Sequence, residues 1–326
     1  MTQKVKTSFH LPENLRPVIG ASIFFVFMLA SFIASSPVVF LDIGIYTAIF
    51  LSLPLFTIVG LGLVFITVAG EIDLSFPSII ALSGLAFART LESTNLNFGL
   101  GVIAALVTGA TCGAINGWLV SKLGLSSLIT TLGMNFALIG LTNILNKGEV
   151  RTFSEMDGTL ARRILVGQWG PIPSQMFWSL GIAVVMGLIF HRHKFGIHIH
   201  VSGDNPDAGR AMGINIERTK TLAFIIVGLC SATTAIIAIF LNSTYFATMG
   251  EGYLLPTLAA VFVGGTAVTG GRGTIGGLVI GAATVVFIQT GVVAAGLDGY
   301  WTSFGFGLVI VLSLLGHRRF SGRLTK

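Results

Sequence analysis

Eight predominantly apolar stretches divide the chain, at 17–36, 43–69, 98–121, 126–146, 174–191, 220–241, 276–296 and 300–316, each near the ~20 residues an α-helix needs to cross a bilayer. Lipid offers no partner for backbone N–H and C=O groups, so segments of this kind must be helices that satisfy themselves. The remaining composition excludes a soluble globule. Of 326 residues 53% are hydrophobic and 10% charged, against about 25% charge in a soluble domain. The expected fold is therefore an all-α polytopic membrane bundle, with residues 1–326 forming a single domain. Forty-two glycines suit it, because small residues let membrane helices approach closely. Two shorter apolar runs, 74–88 and 252–264, begin or end among glycine, proline and polar residues and read as short or broken helices. Counting them gives ten spans and omitting them eight, and either number returns both termini to one side.

Charge orients the bundle. With ten spans and a cytoplasmic N-terminus, the inner segments hold Lys4, Lys6, Arg16, Lys122, Arg192, Lys194, Arg210, Arg218, Lys220, Arg272, Arg318, Arg319, Arg323 and Lys326. The outer segments hold only Arg89, Lys147, Arg151, Arg162 and Arg163. The positive-inside rule then places both termini in the cytoplasm. The net charge of +6 is spread between apolar spans rather than gathered into a basic stripe, so nucleic acid is not an expected partner. Cys112 and Cys230 lie inside apolar spans and read as free thiols. No small-residue cleavage site follows the first span, which reads as a retained anchor.

The stretch "VFITVAGEIDLSFPSIIAL" interrupts two apolar runs with Glu71, Asp73 and Ser75. Charge at the bilayer centre costs at least ~2.5–3.5 kcal/mol, so these acids need a reason. Asp73 or Ser75 can cap a helix beginning near Pro77. Contact with solute, or a hold between two mobile helices, is the alternative use. A second break, "GGTAVTGGRGTIGG" over Gly264–Gly277, resembles the first in placement, as paired interruptions do in transporters built from repeats. It is no nucleotide loop, because that requires G-x-x-x-x-G-K-[ST] and the chain has no Gly-Lys pair. A tight turn with Arg272 at the inner surface is expected instead.

The inner loop "VSGDNPDAGRAMGINIERTK" encodes a short polar helix of about two turns. Asn205 suits the N-cap, Pro206 the first helical position and Asp207 the positive helix end, while Gly213 suits a left-handed terminator. Polar residues inside spans, namely Asn116, Thr130, Thr131, Asn135, Asn143 and Gln289, are candidates for a solute pathway or for hydrogen bonds between helices. Their hydroxyls and amides suit a neutral sugar. His191, His193, His198 and His200 alternate in a polar segment without a partner carboxylate, which argues for surface rather than metal. No H-E-x-x-H or G-x-S-x-G is present, so no catalytic site is expected.

Three segments together carry a resemblance. Gly203, Asn205, Ala208, Gly213 and Ile214, the stretch GEIDLS from Gly70 to Ser75, and "AAVFVGGTAVTGGRGTIGGLVIGA" from Ala259 to Ala282 resemble, in order, signatures of the permease subunits of bacterial ABC importers for ribose, xylose and arabinose. Glu71 stands where that family usually has Gly, Phe76 and Pro77 where it has Val and Gly, and Gly209 where it has Ala. The resemblance implies an inner-membrane permease for a monosaccharide or similar polyol, working with a second permease copy or a close paralogue. It implies cytoplasmic ATPase subunits that carry ATP and Mg, a periplasmic sugar-binding protein, and no cofactor in this chain. The ATPase-coupling loop would comprise Gly203, Asn205, Pro206, Ala208, Arg210, Gly213 and Ile214. An ion-coupled transporter of a small polar solute is the alternative reading, with Glu71 and Asp73 as its candidate acids.

Overall fold

A computed structural model describes residues 15–320. Helix α1 (Leu15–Ser35) and the single turn α2 (Pro37–Phe40) precede α3 (Ile43–Val68), α4 (Phe76–Ser93) and α5 (Phe98–Gly117), which runs on as a π-helical turn over Trp118–Lys122. After α6 (Ser127–Asn146) comes a connection with strand β1 (Arg151–Thr152), helix α7 (Leu160–Val166) and the hairpin β2 (Gln168–Trp169) and β3 (Ile172–Pro173). The chain continues through α8 (Ser174–Arg192), α9 (Lys194–Asp204), α10 (Pro206–Ala211) and α11 (Ile216–Asn242). Strand β4 (Thr244–Tyr245), α12 (Leu254–Val263), α13 (Ile275–Ala294) and α14 (Tyr300–Phe320) complete it. The protein is an all-α membrane bundle, and among the described residues seven helices are long and apolar enough to span a membrane.

Polar residues start these helices by taking up N–H groups that lipid cannot satisfy. The side chains of Asp42, Asn97, Asn215 and Thr274 accept from Gly44, Leu100, Arg218 and Gly277 at the starts of α3, α5, α11 and α13. Between caps, the depth of burial sorts the helices. The span of α3 is 83% buried and that of α11 72%, against 17% for α6, so α3 and α11 form the centre. Exposed Val107, Phe136, Ile144, Val184 and Leu188 on α5, α6 and α8 face outward. Helices α5 and α11 touch backbone to backbone. A Cβ on Gly109 or Gly113 would lie 2.3 Å from the Gly228 oxygen or 2.4 Å from the Phe224 oxygen, the close approach that small residues at four-residue spacing permit.

Contacts between connections define two ends. At one, the Gly70 break meets the Gly203 and Gly271 segments, and Lys220 pairs with Glu71. At the other, Arg151 pairs with Glu92, Arg89 donates to the Leu145 carbonyl, and β1 pairs antiparallel with β4, Arg151 opposite Tyr245. The two short runs read from the sequence are both helices, with α4 extending to Ser93 rather than ending at 88. The segment 192–216 holds two helices, α9 and α10, where only a short one over α10 was legible. The helical pattern of α9 is masked by "HIHVSGD", whose polar residues look like loop. Lys4, Lys6, Arg323 and Lys326, together with the placement of both termini, lie outside the described residues.

Candidate functional site

The three signature segments, far apart in the sequence, meet at one point. After Val68 the chain leaves α3 and turns at Gly70 (φ 85°) into an extended stretch that re-enters the bundle before α4 begins. The second break turns at Gly270 (φ 84°) and Gly271 (φ 76°). Between them lies the end of α9. The Gly271 N–H donates to the Val68 carbonyl at 2.8 Å. A Cβ on Gly203 would fall 1.9 Å from the Val68 oxygen and 2.7 Å from the Gly271 nitrogen, so only hydrogen fits there. A Cβ on Gly270 would fall 2.8 Å from the Gly70 Cα. Three backbones are therefore in direct contact, with no side chain between them to yield.

His200 adds a fourth tie. Its Nδ1 lies 2.9 Å from the Gly271 oxygen and its ring packs on Phe190 with centroids 4.8 Å apart. The reading of the histidines as surface groups is therefore corrected for His200; His191 and His193 are exposed. Its alternation with His198 hid this, because the i, i+2 pattern in a polar segment does not reveal a helix face.

From this junction α10 projects outward. The Asn205 side chain accepts from the Ala208 N–H at 3.0 Å, Pro206 occupies the first turn, and Gly213 (φ 79°) turns the chain after the helix. Asp207 accepts from Arg210 at 2.7 Å across one turn. Asp207, Ala208, Arg210, Ala211 and Met212 are exposed, Met212 to 74%. Gly209 alone is buried, and a Cβ there would lie 2.9 Å from both Ile216 Cδ1 and Val201 Cγ1. The departure from Ala at this position thus has a steric reason: α10 sits close against α9 and α11. Ile214 follows, its N–H donating to the Gly209 carbonyl at 3.0 Å.

The two acids of the first break have separate surroundings. Glu71 Oε1 lies 2.6 Å from Lys220 Nζ, both side chains 17% exposed, which ties the break to the first turns of α11. Asp73 is fully buried. Its Oδ1 accepts from the Ser75 N–H (2.8 Å) and hydroxyl (2.6 Å), while Asn116 Nδ2 donates to Ser75 Oγ at 2.7 Å. Neither residue caps α4 as expected. Ser75 occupies the N-cap position without a side-chain bond, and Asp73 instead closes a turn one step earlier. The sequence hints at Lys220 only by its charge at the start of an apolar span, and nothing local to it names Glu71 as the partner.

The candidate pathway residues do not gather in one place. Asn116 and Thr131 are buried in the polar layer around the break; Thr131 Oγ1 accepts from the Leu74 N–H at 3.0 Å. Thr130 is half-buried, and Asn143 and Gln289 are exposed on the bundle surface. Asn135 lines a cavity of about 160 Å³ with Pro77, Ser78, Gly250 and Glu251. Among the described residues, no group of three or more metal-ligating side chains is assembled.

Known proteins are similar to this chain. A family model described as branched-chain amino acid transport system / permease component matches residues 45–314. The chain is 33% identical over 246 residues to the ribose import permease protein RbsC of Escherichia coli, covering 75% of this chain and 76% of that one. It is 29% identical over 250 residues to the fructose import permease protein FruF of Bifidobacterium longum, covering 74% and 68%. With the autoinducer 2 import system permease protein LsrD of an Enterobacter species it shares 28% over 256 residues, covering 76% and 77%.

Proposed function

The chain belongs to the branched-chain amino acid transport system / permease component family, and from that premise we propose that it carries a monosaccharide or similar polyol inward as the membrane subunit of an ABC importer. It is a transporter subunit and not an enzyme. The sugar assignment draws on relatives named for ribose and fructose import. In this reading the protein lies in the inner membrane with both termini and α10 in the cytoplasm. It works with ATPase subunits there, a periplasmic sugar-binding protein, and a second permease copy or close paralogue. ATP and Mg are handled by the ATPase, and this chain carries no cofactor.

The observation that carries the coupling role is the union of an exposed helix with a rigid junction. Helix α10 offers Ala208, Ala211 and Met212 to a partner, while Gly203, at the end of α9, abuts both breaks. Closure of the ATPases would press on α10. The displacement would pass through α9 to α3, α4 and α13 as a rigid-body movement, because backbone contacts leave no side chain to absorb it. Opening toward the periplasm would admit sugar from its binding protein, and hydrolysis would return the bundle to the inward state.

Co-purification and uptake test this together. Ala208→Trp places bulk on the exposed face, and Met212→Pro removes the N–H that donates to the Ala208 and Gly209 carbonyls. Both variants should insert normally, yet lose the ATPase subunit and ATP-driven uptake. Normal uptake with the ATPase retained would overturn the docking role of α10. In an ion-coupled transporter neither variant would matter, and uptake would follow a proton or sodium gradient.

A further inference from the structure

We propose that the cavity at the start of α4 is a contact site for the transported solute on a water-filled route, with Asn135 and Glu251 supplying hydrogen-bond acceptors to a neutral polyhydroxylated molecule. The assignment deepens the permease reading and rests on it. Helix α6 carries Ser127, Thr131 and Asn135 four residues apart, hence on one face. The first two are occupied by the re-entrant stretch: Ser127 Oγ accepts from the Ile72 N–H at 3.3 Å and Thr131 Oγ1 from the Leu74 N–H at 3.0 Å. One turn further on, that stretch has already become α4, whose backbone bonds internally. Asn135 Oδ1 is consequently buried with no partner among the described residues, an arrangement native structures keep for groups that something else satisfies.

The cavity that Asn135 faces, about 160 Å³, sets Ser78 and Glu251 among the apolar Ala81, Ile139, Ala247 and Leu254, and at about 30 Å³ per water holds a handful of waters or one small sugar. Its depth follows from the contacts. Gly250 abuts Pro77, where a Cβ would fall 1.9 Å from the proline oxygen. From Pro77 to Glu92, at the Arg151 end, is about 22 Å of α4 at 1.5 Å per residue. From Glu251 to the other end is the ten-residue α12, about 15 Å. Glu251 therefore lies midway through the bundle, and it is exposed. A carboxylate at that depth faces a water-filled passage rather than hydrocarbon.

The donor and acceptor inventory selects the solute. The lining offers a carboxylate, an amide oxygen and the Ser78 hydroxyl, and no basic residue. Such a set accepts hydrogen bonds from sugar hydroxyls and repels the carboxylate of an amino acid.

Single cysteines at Glu251→Cys, Asn135→Cys, Glu149→Cys (water control, exposed and away from α10) and Val184→Cys (outward-facing apolar control) in the assembled transporter test the route. The probe is a charged, membrane-impermeant methanethiosulfonate, and Cys112 and Cys230 are buried. Glu251→Cys and Asn135→Cys should react at rates near that of Glu149→Cys and far above Val184→Cys. Glu251→Leu and Asn135→Leu should each lower uptake of D-ribose or D-fructose, whichever the wild type carries, by about tenfold or more, as loss of one hydrogen bond at the rate-limiting state would; both should retain the ATPase. Reaction as slow as Val184→Cys, or wild-type uptake in both leucine variants, overturns the site while the permease reading stands. A wild type that retains no ATPase overturns the permease reading, and the labelling rates still decide whether the cavity is wet.

Discussion

Two acids in one short break are both largely buried yet make different bonds. Asp73, fully buried, accepts from Ser75 and lies in reach of Asn116. Asp73→Asn keeps an acceptor for the Ser75 N–H, and the Asn116 amide can turn its unpartnered Oδ1 toward the new amide. Most uptake and nearly the wild-type melting temperature are expected. Asp73→Leu strands the Ser75 N–H at a cost of ~1–3 kcal/mol, so thermal unfolding of the purified protein should occur several degrees lower. An ion-coupled mechanism would instead lose all uptake with asparagine. Glu71 and Lys220 form a pair that removal of one partner leaves as a lone, mostly buried charge. Glu71→Leu and Lys220→Leu should each destabilise, and the double variant should recover much of the loss, with a coupling of ~1–3 kcal/mol in a double-mutant cycle. Additive effects would mean that the pair ties nothing together.

Docking and transmission are separable among the elements. Helix α10 meets a partner, whereas the end of α9 meets the two breaks. Gly203→Ala places a methyl 1.9 Å from the Val68 oxygen, which only a shift of α9 relieves. The exposed face of α10 is untouched. The expected phenotype is retention of the ATPase with uptake reduced by about tenfold or more, a loss of coupling and not of assembly. Gly213→Ala, strained by its positive φ but clear of neighbours, should impair less. Equal uptake in Gly203→Ala and wild type would remove the junction from the coupling path.

For the whole molecule, the distribution of basic residues and the two clusters of connections make one prediction about sidedness. In membranes holding the permease without its ATPase, a cysteine in place of Ala211 should react with an impermeant thiol reagent added from the cytoplasmic side. A cysteine in place of Glu149, next to the Arg151 cluster, should react only from the periplasmic side. The reverse pattern would invert the bundle and the proposed direction of coupling.

Apolar length and the α10 signature with its Asn205 cap were legible in the sequence because each depends on neighbours a few residues away, whereas the cap expected of Asp73 or Ser75 on α4 failed. A run of twenty apolar residues must be helical in lipid whatever surrounds it, and Asn205, Pro206 and Gly213 act within one short helix. The tertiary structure alone decided what meets what. Nothing local in Gly70, Gly203 and Gly271 says that they touch, since a glycine tolerates a close approach without naming the backbone that makes it. Lys220 could not be matched to Glu71 across 149 residues without the packing of α11 on α3. Glu251 reads as an ordinary loop acid until Gly250 is seen against Pro77, because depth in the membrane is a property of the assembled helices and not of the residue.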